Sequence, residues 1–214
     1  MRAIIYICFC LFTLSCTQKK HSANDAVELD HTRSVSKGDS AIGIPKTLTE
    51  IKSAYSNTIN NLKQNSLQAD SVKYNCAGER SGTITYFEKD GKLILIKHSY
   101  NEYDHFSAVD QYFIKDDSLY FTYSQQTAWS FESGSAAEST TKDDITESRI
   151  YITNNQAILC LEKRYTIKSK STNNPIPDQI QNKSVECKNT GSIIRNLKNL
   201  LAFKSKPEGS CLGK

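Results

Sequence analysis

Signatures of familiar catalytic machinery are missing from this chain: its 214 residues contain no G-x-S-x-G elbow, no glycine-rich phosphate loop and no H-E-x-x-H pair. Their absence weakens an enzymatic reading without abolishing it, because a new catalytic arrangement carries no known motif. C-x-x-C pairs are missing too, and no histidine stands at ligand spacing beside a cysteine, so neither a structural zinc site nor any cofactor is expected. Beyond the first segment the apolar runs, such as Leu93 to Ile96, fall far short of the roughly 20 residues that a spanning helix needs. A dominant charge is also lacking. Lysine and arginine number 27 against 23 aspartates and glutamates, a net charge of +4, which is too mild and too mixed in sign to argue for nucleic acid as a partner.

What is present begins at the N-terminus. Arg2 precedes an apolar stretch from Ala3 to Leu14, and the small Ser15 then stands before Cys16. This is the order of the n-, h- and c-regions of a secretory signal peptide, too short for a comfortable membrane span. Leu14-Ser15-Cys16 resembles the lipobox of bacterial lipoprotein precursors, with Thr13 where that family usually carries leucine. The resemblance covers roughly the first 16 residues. It implies that residues 1–15 are a leader that is removed, that Cys16 is acylated and becomes the new N-terminus, and that the membrane is a partner through this lipid anchor. Thr17 in place of aspartate after the cysteine implies the outer membrane. Since each buried lipid methylene contributes about 0.8 kcal/mol and two or more chains hold stably, such an anchor would be permanent. Cys8 and Cys10 lie inside the apolar run with no such boundary behind them.

Four cysteines then remain: Cys76, Cys160, Cys187 and Cys211. An even number of spread cysteines in an oxidising compartment reads as two disulfides with three possible connectivities. Bridges that tie the C-terminal segment back to the body are expected, pairing Cys187 or Cys211 with Cys76 or Cys160. Four buried free thiols are the other reading.

Residues 16–45 mix serine, aspartate, lysine and threonine without apolar periodicity and read as a lipidated, disordered tether. A single domain is expected over 46–214. It opens on "PKTLTEIKSAYSNTINNLKQ", where Leu48, Ile51, Tyr55, Ile59 and Leu62 line one helical face and Thr47 with Glu50 forms a capping box. Residues 72–76 read as a short strand. Three stretches then share one design, a turn-forming pair between β-branched or aromatic runs: Asp90-Gly91, Asp116-Asp117 and Asn154-Asn155. Each predicts a β-hairpin, because Asp, Asn and Gly tolerate the positive φ of two-residue turns. Residues 132–144 read as a mobile loop inserted between hairpins. Ile193, Ile194, Leu197, Leu200 and Leu201 form the stripe of a C-terminal helix opposite Arg195, Lys198 and Asn199. The predicted fold class is α+β: a twisted antiparallel sheet of six to eight strands built from three hairpins, with an N-terminal and a C-terminal helix packed on it.

Two surfaces are candidates for ligand binding. In the third hairpin, strict alternation about a two-residue turn places Ile150, Ile152, Ala157, Leu159 and Leu161 on the core side. The opposite face then carries Glu147, Arg149, Tyr151, Cys160, Glu162 and Arg164, with Glu147 directly across from Glu162. Arg149 and Arg164 would form either a socket for an anionic ligand or part of a solvated cross-strand ion-pair ladder. The second surface is "HSYNEYDH", read as a connection between hairpins. His98, Tyr100, Tyr103, Asp104 and His105 there suit an aromatic rim for a sugar or a protein, or a turn whose tyrosines cover the sheet edge. No metal is expected there, because the spacing of His98, Asp104 and His105 matches no recognised site. Trp129, the single tryptophan, is expected to pack in the core with Phe131. Together these readings describe a lipid-anchored cell-envelope protein whose domain binds an envelope protein or a glycan without catalysis. The alternative is an envelope hydrolase inhibitor or enzyme that works through the Tyr100 to His105 segment or the Arg149 and Arg164 face.

Overall fold

Helix α1 spans Leu48–Lys63 and is started by the predicted capping box. The Glu50 amide donates to Thr47 Oγ1 at 3.3 Å, while the Glu50 carboxylate accepts from the amides of Thr47 and Lys46 at 3.0 and 2.7 Å. The computed structural model describes residues 43–132, 140–206 and 210–212. The leader, Cys16 and nearly all of the expected tether lie outside the described residues.

Among the described residues eight strands follow: β1 Gln68–Cys76, β2 Arg80–Lys89, β3 Lys92–Glu102, β4 Phe106–Lys115, β5 Ser118–Phe131, β6 Thr141–Thr153, β7 Gln156–Lys168 and β8 Lys183–Ser184. They make one antiparallel sheet in sequential order, a meander, and helix α2 Gly191–Phe203 completes the α+β fold. The residues predicted as a mobile loop are partly strand: β6 already begins at Thr141, and 133–139 lie outside the described residues.

All three predicted hairpin turns form, and both residues of each pair take positive φ: 52° and 73° at Asp90-Gly91, 45° and 59° at Asp116-Asp117, 49° and 60° at Asn154-Asn155. Each turn is followed by the same irregularity. Phe87 pairs with Leu95 but Glu88 with Leu93; Phe113 pairs with Phe121 but Ile114 with Leu119; Tyr151 pairs with Leu159 but Ile152 with Ala157. Ile94, Tyr120 and Ile158 are therefore extra residues, one bulge in the returning strand of each hairpin, three positions after the turn.

The helices cover opposite faces of the sheet. On the α2 face, Leu197, Leu200 and Phe203 close over Tyr74, Ile84, Tyr86, Ile96, Tyr112, Ile114 and Ile152, and the Tyr86 hydroxyl donates to the Leu200 carbonyl at 2.6 Å. On the α1 face, Ile51 packs with Leu95, Phe113, Tyr120, Phe121 and Tyr151. Thr58 shares a 3.4 Å hydrogen bond with Tyr120 there, and the Tyr55 ring lies 5.1 Å from Phe113 although Tyr55 sits at the surface. The expected stripes hold with one shift each. Thr58 is buried in α1, and in α2 Phe203 takes the buried place while Leu201 faces solvent.

Two disulfides join Cys76 to Cys211 and Cys160 to Cys187, so both bridges clasp a C-terminal cysteine to a strand. Among the described residues no helix is long and apolar enough to cross a membrane.

Candidate ligand-binding face

Alternation along a strand sends every second side chain to one face, so strand register lays out transverse rows. On the α1 face, the row Phe87, Leu95, Phe113, Phe121, Tyr151 and Leu159 is apolar and lies against the helix. Two rows further on, beyond the helix, the chemistry changes. Lys73, Thr83, Ser99, Val109 and Gln125 stand side by side on β1 to β5, and Ser81, Asn101, Ser107 and Thr127 form the next row. These nine residues line an open cavity of about 510 Å³, with Tyr74, Gly82, Tyr100 and Ala108 supplying the strand between them. Among the described residues, the polar side chains of the lining are hydroxyls and amides, and Lys73 is the one charged side chain.

At the β6 and β7 side this groove meets a buried ionic cluster, since Gln125 is paired with Glu147. Glu147 is only 4% exposed, and its carboxylate takes contacts from Lys163 at 3.1 Å, Arg149 at 3.0 Å and the Tyr165 hydroxyl at 3.0 Å. Lys163 Nζ also donates to the Pro177 carbonyl at 3.0 Å, and Arg149 Nη1 to Asn182 at 2.8 Å, so the loop before β8 roofs the cluster. Burial pushes the Glu147 carboxyl up, but hydrogen bonds from Lys163, Tyr165, Tyr123 and Arg149 outweigh it and hold the carboxyl below its ordinary range. Tyr123 lies under the Arg149 guanidinium at 4.9 Å, and its single hydroxyl proton is shared between Glu147 and Gln125 Oε1, the latter 3.3 Å away.

Further along β5, away from α1, the same face becomes aromatic. Trp129 follows Thr127 at two-residue spacing; its ring lies 4.2 Å from His105 and 5.5 Å from Phe131. The indole N–H donates to the Asp104 carbonyl, and the Trp129 amide to the His105 carbonyl at 3.0 Å. The core position expected for Trp129 is not the observed one. It packs on Phe131 but at the rim, where Phe131 is 66% exposed, because β5 runs past the helix and, among the described residues, no second layer covers it there.

The predicted Arg149 and Arg164 socket does not form. The bulge at Ile158 reverses the alternation of β7, so Glu147 pairs with Lys163 and not with Glu162, while Glu162 pairs with Ser148 and Arg164 with Thr146. Leu159 and Leu161 consequently share the α1 face with Glu147 and Arg149. Glu162 and Arg164 lie on the α2 face, joined to each other at 2.7 Å with Arg164 well exposed.

"HSYNEYDH" is likewise not one loop: His98 and Tyr100 belong to β3, and only Tyr103, Asp104 and His105 form a turn, with Tyr103 at φ 50° and 71% exposed. His98 is buried on the α2 face, stacked at 4.4 Å on Tyr100 and hydrogen-bonded through Nε2 to the Tyr74 hydroxyl at 2.8 Å. Across from it Asp110 accepts from Ser124 at 2.6 Å and from Tyr100, and Arg80 lies over the Tyr100 ring at 4.6 Å. Burial, then the Arg80 charge, lowers the His98 pKa to about 4, while burial raises that of Asp110. Among the described residues, no group of three or more His, Cys, Asp or Glu side chains is placed to hold a metal ion.

The groove residues Lys73, Thr83, Ser99, Asn101, Ser107, Gln125 and Thr127 escaped sequence reasoning. Their one signal is polar alternation, as in Ser81-Gly82-Thr83-Ile84, which every half-exposed strand shows. Compared with known protein families, with curated proteins and with solved structures, the chain matches none.

Proposed function

We propose that this chain is a lipid-anchored cell-envelope protein, held at the outer membrane through Cys16, whose sheet domain is a non-catalytic binding module with the α1-face groove as its ligand site. The observation that carries the reading is the lining of the groove: its volume of about 510 Å³ is that of a ligand site, yet among the described residues its polar side chains are hydroxyls and amides with Lys73 alone charged. Catalysis by acid and base needs ionisable groups that converge on a reacting atom. Here His98 and Asp110 sit on the other face, and Glu147 and Lys163 are engaged by each other and by Arg149, Tyr165 and the Pro177 carbonyl. Two disulfides are compatible with an oxidising compartment outside the cytoplasm.

The test has two arms. Cys16→Ala should move the protein from the membrane pellet to the soluble fraction of lysed cells; retention in the pellet would end the anchor reading. The purified mature chain should bind isolated envelopes, and Ser107→Trp, which fills the groove from an exposed position, should abolish that binding while leaving the thermal melt unchanged. Undiminished binding by Ser107→Trp would place the site elsewhere.

A further inference from the structure

We infer that the groove takes a glycan: a linear, polyhydroxylated chain lying across β1 to β5, with one end against the aromatic rim at Trp129 and Phe131. The inference rests on the groove being the binding site proposed above. Serine and threonine hydroxyls and the asparagine and glutamine amides both donate and accept hydrogen bonds, and here they are spaced one strand apart along the floor. A ligand matched to such a floor must itself carry closely spaced groups that both donate and accept, as the hydroxyls of a sugar do. A polypeptide is a poorer match. The backbone groups of β2, β3 and β4 are already paired with a neighbour on each side, so a peptide crossing this face cannot add to the sheet as a strand, which requires a free edge. A nucleic acid would need several cations along its phosphates, and among the described residues the lining offers only Lys73.

The aromatic end supplies what hydroxyls do not. Along β5 the side chains Gln125, Thr127, Trp129 and Phe131 point to the same face, and this strip passes from polar to apolar within about 20 Å. Trp129 is held by its N–H on the Asp104 carbonyl and by the His105 ring, and it in turn braces the exposed Phe131. A braced flat ring beside a hydroxyl-lined floor fits the apolar C–H face of a sugar, whose hydroxyls then reach the floor. From Lys73 on β1 to Gln125 on β5 is four inter-strand steps, about 19 Å, so the site spans several sugar units.

The experiment uses the purified mature chain and two probes. The first is isolated envelopes, untreated, digested with protease, or oxidised with periodate, which cleaves vicinal diols. The second is a set of soluble linear 1→4-linked hexasaccharides of neutral hexoses, whose C2–C3 diols periodate cleaves, titrated calorimetrically. The expected result is envelope binding that survives protease and is lost after periodate, together with saturable binding of at least one hexasaccharide. Phe131→Ala and Gln125→Ala should each weaken the latter about tenfold, with unchanged melts. Binding lost to protease but not to periodate overturns the glycan and leaves the groove as a protein-binding site, provided Ser107→Trp still abolishes it. Binding indifferent to Ser107→Trp overturns the groove itself, and with it both readings. Failure to bind any hexasaccharide, with periodate also without effect, overturns the glycan.

Discussion

His98 illustrates how one buried side chain ties stability to pH. Its imidazole is 3% exposed, shares a hydrogen bond with Tyr74 and faces Tyr100, Arg80 and Asp110. With its pKa lowered to about 4 in the folded chain, against 6.5 ordinarily, the unfolded chain binds the proton more readily between those values. The neutral ring therefore contributes fully above pH 6.5, and the contribution is lost as pH falls towards 4, up to about 3 kcal/mol in all. Asp110 works against this loss, because its raised pKa lets the folded chain take up a proton earlier than the unfolded one. His98→Gln keeps a hydrogen-bonding group for Tyr74 but cannot titrate. The wild-type urea midpoint should fall between about pH 6.5 and about pH 4.5, and that of the variant should stay nearly level over the same window. A parallel fall in both would locate the proton uptake elsewhere. The sequence showed His98 as a polar residue in a polar stretch, and only the register of β3 reveals that it points inward. An isolated histidine in an alternating strand carries no mark of which parity faces the core.

At the level of the element, the hairpin turns were legible and the bulges beside them were not. Asp-Gly, Asp-Asp and Asn-Asn announce positive φ by their chemistry. Ile94, Tyr120 and Ile158 are ordinary strand residues, so nothing in their identity shows that one residue has been inserted. Yet one insertion inverts every later side chain of the strand, which is why Arg149 and Arg164, expected together, stand on opposite faces. Both helices were legible from apolar spacing, since a stripe does not depend on what it packs against, and the capping box from Thr47 and Glu50 three residues apart. Close approach of strands makes a sharper prediction at Gly82. A Cβ there would stand 2.6 Å from the Ser99 carbonyl oxygen, 2.8 Å from Tyr100 Cβ and 2.9 Å from the Tyr74 ring. Gly82→Ala gains about 0.4–1 kcal/mol by restricting the unfolded chain but must displace backbone and Tyr74 to fit, which typically costs about 1–3 kcal/mol. A net loss in chemical denaturation is expected; a variant as stable as the parent would mean that β2 shifts freely.

For the whole molecule, the sequence left the cysteine connectivity open because spacing alone cannot choose among three pairings. Folding decides it: the end of α2 lies against β1, where Phe203 meets Tyr74 at 5.9 Å, and this brings the tail to Cys76. The two bridges close loops of very different size, with sequence separations of 135 and 27. On the chain-entropy account they restrict the unfolded state by about 5 and about 3.5 kcal/mol respectively. Cys76→Ser with Cys211→Ser should thus lower the urea midpoint more than Cys160→Ser with Cys187→Ser, measured without reductant; the reverse order would show that native packing around Cys160 outweighs loop length. The groove itself was illegible because it is a product of register, assembled from one or two polar residues on each of five strands. The longer clasp also bears on mechanical load. Tension entering from the N-terminal side can strip away α1 and then β1, but at Cys76 it meets a covalent junction. Past that residue, the pull can unzip the remaining strands only by dragging the C-terminal tail along with them, so the groove floor on β2 to β5 is reinforced against a load from that side even after Lys73 has been peeled off with β1.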